Sequence, residues 1–142
     1  MKITTRGRYA LRATLALAQL GKDGGPVSIN TLSEQERISP IFLEQIFFKL
    51  RKAGIVASVR GPGGGFFFEK PLEEITLKSI LKASGEEMET VPCDKRAGNC
   101  ERISTCLSHR VWSKVNKLVD DYFINITLAR ILEGDIDNAK NC

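Results

Sequence analysis

Three cysteines fall within fourteen residues of this chain. Cys93 is followed after six residues by Cys100, after five more by Cys106, and after a further two by His109, the chain's one histidine. Thiolates and imidazole are soft metal ligands. Three cysteines and one histidine suit a structural zinc site. They equally suit an iron–sulfur cluster, in which histidine can replace cysteine at one iron. A thiol–disulfide switch would need only two of the cysteines. The spacing alone leaves all three readings open. Asp94, Lys95, Arg96, Gly98 and Asn99 make the intervening segment polar and irregular, a poor setting for cysteines serving as buried apolar groups. His109 lies about one helical turn beyond Cys106, so both can face one centre. Cys142, the last residue, is read as reactive and not a ligand.

The rest of the chain must position that cluster of donors. At 142 residues with 42% hydrophobic content, a real core is available. No run of about 18 apolar residues occurs, so no transmembrane helix is expected. The basic, then apolar, N-terminus is interrupted by Arg12 and lacks a small-residue cleavage site, so it reads as an amphipathic helix of a cytoplasmic protein. Four cysteines in a chain of this length are too few for a secreted disulfide scaffold. The net charge of +4 is unevenly placed: residues 1–60 carry +6 and the remainder −2. A basic half joined to a slightly acidic half fits a polyanion-binding module.

Local signals in that basic half give an order of elements. Ala10, Ala13, Leu17 and Leu20 recur at helical spacing from about Thr5, and the Gly-Pro stretch from Gly21 to Pro26 ends that helix. Ser28 is a suitable N-cap for a short second helix. Ser39-Pro40 starts a third, with Leu43, Ile46, Phe47 and Leu50 on its core face and Glu44, Gln45, Lys49, Arg51 and Lys52 left polar. Two β-prone runs then flank the glycine-rich tip Gly61–Gly65 as a hairpin. The glycines lack the spacing and the following helix of a phosphate-binding loop. Three helices and a hairpin are the order of a winged helix-turn-helix. The fold expected is mostly α with a small β-hairpin wing and a long dimerisation helix. The third helix would enter the major groove of double-stranded DNA, and Arg60 at the wing would reach a narrow minor groove. Lys2, Arg8, Ser39, Gln45, Lys49, Arg51, Arg60 and Gly61 are the candidate DNA contacts on this reading.

Thr76 can cap a short helix leading to the cysteine segment. Beyond it, Val111, Val115, Leu118 and Tyr122 form a helical seam, and Trp112, Val119, Phe123 and Ile126 a second apolar side. A helix from about Leu107 to Phe123 with two apolar sides can pack on its own domain and on a second copy, which makes a homodimer the expected assembly. The helix should break near Asn125–Thr127 and a shorter one end at Gly134. The organisation expected is a winged helix-turn-helix domain over 1–89, a cluster-binding loop over 90–106, and a dimerisation helix with a tail over 107–142. No nucleophile–base pair suggests an enzyme.

The run ISPIFLEQIFFKLRKAGIVASVRGPGGGFFF from Ile38 to Phe68, the opening KITTRGRYA from Lys2 to Ala10, and LSHRVW from Leu107 to Trp112 resemble the Rrf-type winged-helix regulators, the group that includes IscR, NsrR and CymR. Within that group the IscR-like members are most similar. The resemblance implies a homodimer on roughly palindromic promoter sites, with Glu44 at the base-reading surface, where it could accept from a cytosine amino group. It also implies a 2Fe–2S cluster on Cys93, Cys100, Cys106 and His109. The alternative within the group is a 4Fe–4S cluster of the nitric-oxide-sensing kind. Arg8 stands where such members can supply an acidic ligand, which favours the smaller cluster. Two departures are visible: Ile41 occupies a position that is often polar in related proteins, and the first cysteine spacing is one residue longer.

Overall fold

The computed structural model describes residues 1–93 and 100–137. The order is α1 (Thr5–Leu20), α2 (Ile29–Glu36), α3 (Pro40–Lys52), β1 (Val56–Val59), β2 (Gly65–Phe68), a 3-10 turn (Leu72–Glu74), α4 (Leu77–Ser84), α5 (Leu107–Asn125) and α6 (Leu128–Glu133). This is the winged helix-turn-helix expected from the sequence, with a long helix appended.

The helix starts are chemically explicit. Thr4, Ser28, Ser39, Thr76 and Thr127 each accept a backbone N–H three residues on through the side chain. This satisfies one of the amides that a helix leaves unpaired at its start. Pro40 occupies the first turn of α3, where its missing N–H costs nothing. The α3 residues Leu43, Ile46, Phe47 and Leu50 are fully buried, as their spacing requires. They meet Ala10, Ala13 and Leu17 of α1, Leu32 of α2 and Ile80 of α4 in one core. Leu20, read as part of the α1 face, is instead exposed, because the helix ends there and the chain turns away.

The wing is an antiparallel pair with Val56 opposite Phe68 and Val59 opposite Gly65. Its second strand also pairs with the α1–α2 connection: the amide and carbonyl of Val27 exchange hydrogen bonds with Phe66 at 2.9 and 2.8 Å. Gly65 makes that approach possible. A Cβ there would stand 2.3 Å from both the carbonyl carbon and the oxygen of Val27, and φ is +154°. Phe66 in turn meets Phe47 of α3 with ring centroids 4.8 Å apart, so wing and third helix form one packed unit.

The break after α5 does more than end a helix. Leu77 N–H donates to the Ile126 carbonyl at 2.8 Å and Leu128 N–H to the Ile75 carbonyl at 2.9 Å. Ile126 and Leu128 are buried, and Leu128 joins the core with α1 and α3. By contrast, α5 itself has no buried residue. Val111, Trp112, Leu118 and Tyr122 are exposed on it.

Candidate nucleic-acid interface and metal loop

The face of α3 opposite the core carries Ile41, Glu44, Gln45, Phe48 and Lys52, all exposed. Spacings of three, four and seven place them in one stripe. Arg6 of α1 joins Ile41, Glu44, Gln45, Phe48 and Lys49 around a shallow surface depression. Ser39 spends its hydroxyl on the Phe42 amide, at 3.2 Å. Lys49 is half-buried, its Nζ 3.4 Å from where a Cβ on Gly85, just past α4, would stand. Arg51 donates to Ser58 Oγ of β1 at 3.1 Å and lies over the Phe48 ring at 5.9 Å. Arg60 and Gly61 are exposed at the wing tip. There Pro62 and Gly63 form the tight turn closed by Gly64 N–H to the Gly61 carbonyl, at 2.9 Å, and Gly63 takes φ +72°. Lys2 and Arg8 are exposed at the N-terminus, Arg8 donating to Thr5 Oγ1 at 3.1 Å. Arg6 of α1 with Lys49 and Lys52 of α3 therefore offers cations at the exposed face of α3, and Arg60, Lys2 and Arg8 add exposed cations on the wing and the N-terminal segment.

One residue that fixes the start of α1 was not singled out from the sequence. Glu86, just beyond α4, accepts the Thr4 and Gly7 amides at 3.0 and 3.1 Å and the Thr4 hydroxyl. Burial raises its pKa, but these hydrogen bonds and the nearby charge of Arg6 outweigh that and hold the carboxyl below its ordinary value. The segment after α4 thus holds the start of α1 through Glu86. The only sequence signal was a glutamate after a C-capping glycine, which is common and uninformative.

The same segment leads to the cysteines. Cys93 and Cys106 are half-buried, Cys100 is exposed, and all three are free thiols. Cys106 is the N-cap of α5, its Sγ accepting the His109 amide at 3.4 Å. The His109 ring meets Ser113 Oγ through Nε2 at 3.1 Å, one turn further on, which fixes its orientation. Hydrogen bonds Ile103 N–H to the Cys100 carbonyl and Thr105 N–H to the Arg102 carbonyl shape the turn between the second and third cysteines. Asp94, Lys95, Arg96, Gly98, Asn99 and Cys142 lie outside the described residues. Among the described residues, no three Cys, His, Asp or Glu side chains are gathered so that they could hold a metal ion. The donor set fits an iron–sulfur centre in kind. Cys106 and His109 are brought together at the start of α5, while Cys93 and Cys100 would have to be drawn in.

Further along, α5 is anchored to α4 and to the segment that follows it. Thr90 donates to Asn116 Oδ1 from its amide and hydroxyl at 2.8 and 2.6 Å, and Lys78 of α4 pairs with Asp120 at 2.6 Å.

The profile of a family described as Rrf2, iron-dependent transcriptional regulator, matches residues 3–134. The chain belongs to the Rrf2 family. It is 40% identical over 134 residues to the HTH-type transcriptional regulator IscR of Pectobacterium carotovorum, covering 94% of this chain and 80% of that one. Its fold matches that of T. potens IscR with a TM-score of 0.74 and 31% identity, over 100% of this chain and 93% of the other. CymR of B. subtilis, the global cysteine regulator, matches at TM-score 0.72 and 28% identity over 94% of this chain and 98% of that one. This Rrf2 protein is therefore a transcriptional regulator of a DNA-binding family and not an enzyme. No described helix is long and apolar enough to cross a membrane.

Proposed function

We propose that this Rrf2 protein is a homodimeric regulator whose promoter affinity depends on an iron–sulfur cluster, of the 2Fe–2S kind, held by Cys93, Cys100, Cys106 and His109. The observation that carries the reading is the joint placement of Cys106 and His109 at the start of α5, at the end of a segment that also holds the start of α1. The likeness to IscR proteins over most of the chain supports the choice of cluster over zinc.

When bound, such a cluster would tie the segment from Cys93 to Cys106 to the start of α5 and give the protein a redox-sensitive, oxygen-labile centre. The chain's own residues do the rest. Ser113 orients the His109 ring. Asn116 and Asp120 hold α5 to Thr90 and Lys78, and Glu86 holds the N-terminus of α1. Through Glu86 the segment before the cysteines reaches Thr4 and Gly7, between the candidate DNA contacts Lys2 and Arg8. A coupling of this kind typically amounts to about 1–3 kcal/mol, roughly a 5–150-fold change in affinity, enough to switch a promoter. Exposed Val111, Leu118 and Tyr122 on α5 supply the apolar face for the second copy, whose two-fold axis would match a palindromic site.

Anaerobic purification followed by absorption spectroscopy and metal analysis tests the reading. The expected product is coloured and contains iron and acid-labile sulfide. A colourless protein with one zinc per chain would overturn it. Replacing Cys93, Cys100 and Cys106 together with alanine should abolish the colour and leave folding and dimerisation intact. Unfolding of that variant would make the centre structural.

A further inference from the structure

The exposed stripe of α3 contains two large apolar side chains. Ile41 is 70% exposed and Phe48 is 57% exposed, seven residues apart on the face that also carries Glu44 and Gln45. Neither belongs to the core set Leu43, Ile46, Phe47 and Leu50. Single exposed hydrophobic residues are ordinary on protein surfaces. Two on one helix face, bracketing the polar residues of a DNA-reading element, are a different case. Ser39 and Pro40 fix Ile41 in the first turn of α3, and N-terminal residues of a recognition helix meet base edges. Arg51 lies over the Phe48 ring and is itself held by Ser58, so Phe48 is supported from one side.

The major groove presents one apolar group, the C5-methyl of thymine, and apolar side chains recognise it. Seven helical residues advance about 10.5 Å, close to the roughly 10 Å of three base-pair steps. Lys52 on the stripe and Arg6 beside it supply the positive charge that a DNA surface requires.

We propose that Ile41 and Phe48 are specificity-determining residues that each pack on a thymine methyl in the major groove, one on either side of the base pairs facing Glu44 and Gln45. Operators of this protein then require thymine at two positions about three base pairs apart in each half-site. The proposal rests on the DNA-binding reading above and adds the base that is read.

The test uses the full chain and a random-sequence duplex library, selected in vitro at fixed, stated salt. The selected duplexes should carry the two thymines. Replacing either thymine by deoxyuridine, which removes only the methyl, should weaken binding about fourfold, the effect of one buried methyl-sized group. Ile41→Ser should erase the penalty at one thymine and Phe48→Ser at the other, with thermal melts unchanged because both side chains are exposed. Deoxyuridine penalties that persist unchanged in both serine variants would overturn the proposal, as would tight, selective binding indifferent to the methyls. If binding is indifferent and Phe48→Ser instead reduces self-association in sedimentation, the face is a contact between copies and the proposal fails. Failure to enrich any duplex would overturn the DNA-binding reading itself and this proposal with it.

Discussion

Gly7→Ala should change sign with the residue at position 86. In a free helix the substitution is favourable by up to about 1 kcal/mol, because alanine restricts the unfolded chain and suits helical backbone. In this protein a Cβ at position 7 would stand 2.7 Å from Glu86 Cγ and 2.8 Å from its Cδ and Oε1. The carboxylate must move, and it holds the amides of Thr4 and Gly7 and the Thr4 hydroxyl. Hydrogen bonds to a charged group contribute about 1.5–3 kcal/mol when shielded from water. Glu86 is only half-buried, so the whole cluster is set lower, at about 1–2 kcal/mol. Gly7→Ala should therefore destabilise the wild type by about 1 kcal/mol and stabilise Glu86→Ala by up to about the same amount. The coupling is then near 2 kcal/mol, roughly the size of the cluster itself. Urea unfolding at neutral pH of the four proteins measures it. The pH dependence follows from the lowered carboxyl pKa of Glu86. A group whose folded pKa lies below its unfolded one stabilises the fold above the ordinary glutamate value, and that stability is lost as pH falls through the lowered folded value. The gap between wild type and Glu86→Ala should therefore close in acid. An equal, stabilising effect of Gly7→Ala in both backgrounds would refute the reasoning.

Further outcomes follow from other contacts. Arg60→Ala removes an exposed wing cation without touching the core, so operator affinity should fall while the melting temperature holds; gel-shift titrations at one salt concentration check it, since phosphate contacts make affinity salt-dependent. Gly65→Ala drives a Cβ into the Val27 backbone and should cost about 2 kcal/mol or more, read by chemical denaturation, with the wing loosened from the α1–α2 connection. Leu118→Glu places a charge on the exposed apolar face of α5 and should shift sedimentation toward a monomer without lowering monomer stability.

Local rules account for much of what was legible. The capping serines and threonines, the helical spacing of Leu43, Ile46, Phe47 and Leu50, and the Pro62-Gly63 turn are short-range features whose physics is complete within a few residues. The winged helix follows from their order. Glu86 was not legible. Its partners lie about eighty residues away at Thr4 and Gly7, and no local pattern marks a carboxylate for a distant helix start. The return of Ile126 and Leu128 into the core was hidden for the same reason. Their apolarity was plain, but the backbone bonds with Ile75 and Leu77 that seat them join chain segments some fifty residues apart.

The amino-acid sequence by itself determined the helices, their caps, the wing and a set of soft donors at Cys93, Cys100, Cys106 and His109, because each is a matter of residue type and spacing. Tertiary structure alone decided which surfaces those elements share. It seats Cys106 and His109 at the start of a helix anchored to α4. It also holds α1 through Glu86 and leaves Ile41 and Phe48 outward on α3. Those relations depend on packing between residues far apart in the chain, where burial and hydrogen bonding are settled only once the core has closed.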